Sequence, residues 1–95
     1  MAAYIIADIT MTDPQTYEQY RKQVPATVSR HGGKFLVRGG EHEVLEGPWR
    51  PGRVVVIEFP DLAAAKAWYT SAEYGPLIKL RQSASSGSVI LVEGA

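Results

Sequence analysis

Arg38 and Arg53 are the residues whose type and setting most directly suggest chemistry. Arg38 ends the run KFLVR and Arg53 opens the run RVVVIEF, so each lies on or beside an extended segment among apolar neighbours. A lone guanidinium there is costly unless it meets an acid. Its fork of donors could hold the anionic group of a small ligand. The competing expectation is an ion pair with Glu58, Glu46 or Asp8, and it is the favoured one because buried charges are usually paired. Trp49, in the loop GPWRPG at 47–52, could wall or cover a site, and it is equally suited to a protein contact. Tyr69 and Tyr74 flank a loosened helical stretch and could donate hydroxyl hydrogen bonds, although aromatic residues at helical spacing more often belong to a core. The candidate ligand-binding residues are therefore Arg38, Trp49, Arg53 and Tyr69. No residue is assigned a catalytic role.

Other chemistries find little support. His31 could serve as a general base, but it ends the apolar stripe of the first helix beside Gly32, where an imidazole packs and meets the last carbonyls. His42 stands between Glu41 and Glu43, and strand alternation would throw it to the opposite side from both, so no metal site is expected. The chain has no cysteine, which removes disulfides, thiolate ligands and a cysteine nucleophile. It lacks a phosphate loop, a nucleophile elbow and a dinucleotide fingerprint, and no cofactor is expected.

The elements that must position these residues follow from apolar periodicity and from punctuation by proline and glycine. Residues 3–12 read as a strand that stops at Thr12-Asp13-Pro14, where Asp13 can cap a helix and Pro14 can open it. Tyr17, Tyr20, Val24, Val28 and His31 form one helical stripe, ended by Gly32-Gly33, with Pro25 expected to kink or split the helix. Residues 34–38 read as a second strand, and Gly39-Gly40 as a bulge or bend before the chain runs extended through Val44 and Leu45. Residues 53–59 read as the third strand, with Pro60-Asp61 again signalling a helix, from Leu62. That helical region loosens over 71–75, restarts at Pro76 with Leu77, Leu80 and Ala84 in step, and is broken by Ser85-Ser86-Gly87-Ser88 before a last strand at 89–93. The order βαββαβ is that of an α+β ferredoxin-like domain, a four-stranded antiparallel sheet with helices on one face, and residues 1–95 are expected to form one such domain.

Val54 to Ile57, Val89 to Val92 and Tyr4 to Ala7 are apolar at consecutive positions, so both faces of the sheet need cover. Right-handed crossovers place both helical regions on one face, leaving the other bare. A second copy packing sheet to sheet is the expected partner, making a homodimer. The ten basic and ten acidic residues cancel and are scattered, so no nucleic acid partner is expected. The short N-terminal apolar stretch is expected to be neither signal peptide nor membrane span, and the default location is the cytoplasm.

The motifs FLVRGG at 35–40, EVLEG at 43–47, VVIEFPD at 55–61, AWYTSAEY at 67–74, LRQ at 80–82 and VEG at 92–94 occur in an order that covers nearly the whole chain. In these the chain resembles a widespread bacterial family of small domains of unknown function. That family is similar in fold to antibiotic-biosynthesis monooxygenases and other dimeric α/β-barrel proteins. Asp8, Thr10 and Ala72 depart from its pattern. The resemblance implies a dimeric α/β barrel and suggests a cofactor-independent enzyme acting on a small anionic organic molecule, with Arg38 and Arg53 orienting the anion and Trp49 and Tyr69 walling it. The alternative is a non-catalytic dimer that binds a small molecule or serves a structural role, favoured by the absence of a recognisable nucleophile or acid-base pair.

Overall fold

Two Asp caps start the helices that cross over the sheet. Asp13 accepts the backbone N–H of Thr16 at 3.2 Å and its hydroxyl at 2.6 Å, and Asp61 accepts the N–H of Ala64 at 2.8 Å. Each satisfies a helix-start donor that would otherwise be orphaned. The computed structural model describes residues 1–95 as β1 (Ala3–Met11), α1 (Pro14–Arg30), β2 (Lys34–Arg38), β3 (Arg53–Phe59), α2 (Leu62–Tyr69), α3 (Gly75–Ala84) and β4 (Ser85–Glu93). The sheet is antiparallel in the order β2-β3-β1-β4, the ferredoxin-like arrangement expected from the element order.

Strand alternation sorts the side chains into two faces. Ala3, Ile5 and Ile9 of β1 and Val55, Ile57 and Phe59 of β3 are buried against the helices. From α1 the same core receives Tyr17, Tyr20, Val24 and Val28, and from the second helical region Trp68, Tyr74 and Leu77. The opposite face carries Ile6, Val54, Val56, Ile90 and Val92, with Ile90 and Val92 still 55% and 42% exposed. The molecule is accordingly a slab of 33 × 32 × 17 Å, two layers thick, with an apolar sheet surface uncovered.

Local details refine these expectations. Pro25 does not split α1, which runs unbroken for 17 residues. A bulge lies inside β2, where Phe35 pairs with Ile57 and Val37 with Val56, leaving Leu36 as the extra residue, and the bend expected at Gly39-Gly40 is present, with Gly39 at φ 73°. Beyond it residues 40–52 form no strand. Finally, β4 begins at Ser85 and not after a serine-rich break. The Ala84 carbonyl accepts the N–H groups of Thr12 (2.8 Å) and Asp13 (3.1 Å), so the end of α3 is tied to the end of β1 and needs no loop.

Candidate functional site

The bulge at Leu36 decides where Arg38 points. Phe35 faces the helices, and strict alternation would send Arg38 outward; one unpaired residue restores the inward phase, and Arg38 pairs with Val55 of the buried set. Its guanidinium lies 4.5 Å from the centre of the Phe35 ring, and Nη2 donates to the Arg21 carbonyl at 2.6 Å. That carbonyl is free because its helical partner four residues on is Pro25, which has no N–H to give. A proline that looks like a defect in α1 thus supplies the acceptor that anchors Arg38.

Arg53 begins β3, with its guanidinium carbon 5.9 Å from the Tyr17 ring centre and its Nε buried without a hydrogen-bond partner. Its position also explains Gly39, since a Cβ there would overlap the Arg53 guanidinium. Arg38, Arg53 and Arg81 border one interior cavity of about 30 Å³ between the sheet and the helices, walled by Tyr17, Tyr20 and Tyr74 among others. No carboxylate lines it. The ion pairs expected for Arg38 and Arg53 do not form. Glu58 is taken by Lys34 at 3.3 Å and by the Tyr4 hydroxyl at 3.4 Å, and Asp8 by groups on the other face. Burial, followed by the neighbouring charges of Arg21 and Arg53, lowers the pKa of Arg38 from its ordinary value.

Trp49 does not join this cavity. Its indole Nε1 donates to Asp8 Oδ2 at 2.8 Å, and the Gly52 N–H donates to Asp8 Oδ1 at 2.8 Å, so one outward-facing carboxylate of β1 pins the 39–52 loop. The indole is 60% exposed there, beside the bare sheet face. The Trp49 bond first, and the Gly52 bond second, hold the Asp8 pKa below the usual carboxylate value. Such a depressed acid contributes its bonds at neutral pH and loses them as pH falls through the lowered pKa. The indole N–H resonance of Trp49 is therefore expected to keep its position from pH 8 to about 5 and to move below about pH 4. Asp8→Asn should show the moved position at every pH, and an unshifted resonance in that variant would contradict the clamp.

Tyr69 also lies outside the arginine cavity, in a separate groove with Ala65, Lys66, Thr70 and Leu91, its ring 5.8 Å from that of Tyr74. Of the four candidate residues, the structure brings together Arg38 and Arg53 and places Trp49 and Tyr69 elsewhere. His31 caps α1, with Nδ1 3.0 Å from the Thr27 carbonyl, in keeping with the structural reading. Tyr74 follows the core reading. It is a core residue, stacked 4.0 Å from Trp68, and its hydroxyl meets that of Tyr20 at 2.7 Å. Burial raises the pKa values of both phenols, so each keeps its proton.

Arg81 was not foreseen. It falls four residues after Leu77 and three before Ala84, on the buried stripe of α3, and donates from Nη1 to the Tyr74 hydroxyl at 3.1 Å. The signal was an arginine in phase with buried positions of a helix. Burial opposes its charge, but the nearby Tyr74 and Tyr20 oxygens outweigh that effect and its pKa is raised.

Residues 2–95 match the family described as a domain of unknown function, DUF1330. The chain belongs to this family. Among solved structures, this DUF1330 domain is similar to the RPA0582 protein of unknown function from Rhodopseudomonas palustris, with 20% identity, a TM-score of 0.81, and coverage of 99% of this chain and 82% of that one. It is also similar to SnoaB, a cofactor-independent oxygenase from Streptomyces nogalater, with 17% identity, a TM-score of 0.68, and coverage of 99% and 93%. A third is a dimeric protein of unknown function with a ferredoxin-like fold from Bacteroides fragilis, with 15% identity, a TM-score of 0.60, and coverage of 98% and 96%. No curated protein matches the chain. Fold and family agree with the resemblance carried by residues 35–94. No helix of the DUF1330 domain is long and apolar enough to cross a membrane.

Proposed function

We propose that this DUF1330 domain works as a homodimeric α/β barrel that binds a small organic acid, each subunit receiving the acid group at Arg38 and Arg53. The observation that carries this reading is a pair of half-buried guanidinium groups, Arg38 and Arg53, on a cavity that no carboxylate lines, one of them holding an unpartnered buried Nε. Uncompensated charge of this kind is costly to the free protein and is relieved by an anion. The interior space takes about one or two water-sized groups, which suits a carboxylate head with the rest of the ligand leaving through the mouth of the cavity. Dimerisation is supported by the bare apolar sheet face and by the dimeric ferredoxin-like relative.

Binding without turnover is favoured by the cavity lining, where the titratable groups are arginines and phenols and no histidine or carboxylate stands ready to take a proton. The second reading, cofactor-independent conversion of the bound acid, is favoured by the likeness in fold to the oxygenase SnoaB.

The test is a thermal-shift screen of small carboxylic acids against the wild type, Arg38→Met and Arg53→Met. An acid present at a hundred times its Kd should stabilise the wild type by about 2.7 kcal/mol. Each substitution should weaken binding roughly tenfold to a hundredfold, the effect of losing a charge-assisted hydrogen bond of about 1.5–3 kcal/mol. A screen in which no acid raises Tm, or in which all three proteins respond alike, would overturn the reading. Incubating the best acid with the protein in air and following its consumption then separates binding from turnover.

A further inference from the structure

The cleft between α3 and β4 contains a cation with no counter-charge. Arg81 is 8% exposed, forms no ion pair, and makes one side-chain hydrogen bond, to the Tyr74 hydroxyl. The Tyr20 and Tyr69 hydroxyls also stand near it, but none of these neighbours is charged to balance its five N–H donors. None of its nitrogens is sealed without a partner, as Arg53 Nε is, because the side chain borders an open cleft of about 270 Å³ bounded by Gln82, Ser85, Ser86 and Gly87. Those walls are polar and neutral. The Ser85 hydroxyl donates to the Arg81 carbonyl at 2.6 Å and makes no bond to the guanidinium.

Sequence explains the opening. The positions of β4 that pair with inward-facing Ile9 and Ala7 are Gly87 and Val89, so the strand turns its smallest residue toward Arg81. Gly87 cannot be replaced without strain: its φ is 150° and a Cβ would overlap the Asp8 carbonyl. The strand therefore leaves space beside Arg81 in which a ligand group could stand.

We infer that this cleft is a second ligand site, in which Arg81 receives the carboxylate of a small organic acid whose carbon chain lies against Ile9 and Val89. A single guanidinium between neutral walls matches a singly charged, planar group better than a doubly charged phosphate. The site is separate from the end of the cavity at Arg38 and Arg53. The Tyr17, Tyr20 and Tyr74 rings form a row from Arg53, 5.9 Å from Tyr17, to Arg81, with centre-to-centre steps of 5.4 and 6.3 Å. Arg81, Ile9 and Val89 also border the far end of that cavity, so the two readings are told apart by which amides shift.

The test is an NMR titration of the full chain with sodium propionate at constant ionic strength, with sodium chloride as the balancing salt. Saturable shifts are expected at the backbone amides of Gln82, Ser86 and Gly87. Gln82 is exposed on the cleft wall, so its substitution leaves the core intact. Gln82→Glu should weaken the response about tenfold and Gln82→Lys should tighten it by a similar factor. Arg81→Gln should abolish it; should that variant fail to fold, the Gln82 pair decides. Shifts that are absent, do not saturate, or ignore the charge at residue 82 would overturn the proposal. Tighter binding of inorganic phosphate than of propionate would overturn the carboxylate assignment. Shifts confined to Gly39 and Val54 would remove the cleft site while leaving the Arg38 reading standing.

Discussion

Ile90→Lys should convert the proposed dimer to monomers. Ile90 is 55% exposed on the bare sheet face, on β4 beside Ile6 of β1, in the apolar surface that a second copy would cover. In a two-fold interface a single substitution is present twice. A buried interface position of this kind costs about 2 kcal/mol or more when lost, so the pair amounts to about 4 kcal/mol, roughly a thousandfold in dissociation constant. Sedimentation equilibrium from nanomolar to high micromolar concentration reads this directly. Gln23→Lys, on the exposed side of α1, is the matched control and should leave the dimer intact. A wild type that is monomeric at micromolar concentration, or an Ile90→Lys protein that associates as the wild type does, would remove the barrel.

The second large effect is on stability. Trp68 is 1% exposed, stacks on Tyr74 at 4.0 Å, packs 5.4 Å from Phe59, and donates from Nε1 to the Thr27 hydroxyl at 2.9 Å. That hydroxyl in turn donates to the Val24 carbonyl at 2.8 Å, so the indole joins the aromatic core to α1 through a satisfied polar contact. Trp68→Ala should cost about 3–5 kcal/mol through lost burial and the cavity left behind. For a domain of this size that is a fall in Tm of roughly 15–30 °C, measured by calorimetry at fixed protein concentration because a dimer's Tm depends on it. Trp68→Phe retains most of the packing and loses the hydrogen bond, so it should fall between the two. A loss below about 1 kcal/mol for Trp68→Ala would show that the aromatic cluster is not the keystone of this core.

The architecture was legible because its signals are local. Asp13-Pro14 and Pro60-Asp61 mark helix starts by side-chain chemistry that acts within three residues, and the apolar runs at 54–57 and 89–92 betray a sheet with two faces to cover. What escaped reading depends on contacts between distant segments. The ion pairs expected for Arg38 and Arg53 failed because strand register, which no single residue announces, placed Asp8 and Glu58 on the opposite face. Trp49 could have gone to either side of the sheet, and only Asp8, 41 residues away, decides which. Arg81 was hidden by the habit of counting only apolar residues in a helical stripe. Pro25 signals a kink or split by local rules, whereas in the fold its missing N–H frees an acceptor for Arg38.

The phase of β2 carries a further consequence. Because Leu36 is the surplus residue, the side toward which Arg38 points is a matter of strand register and not of residue type. Pairing Leu36 into the ladder at unchanged chain length would carry a guanidinium from the interior to the oily exterior, emptying the cavity of a cation and planting a charge where a neighbour would press, whereas deleting Leu36 would leave Arg38 opposite Val55 and still inward. A one-residue slip of β2 would thereby change the proposed ligand affinity and self-association together.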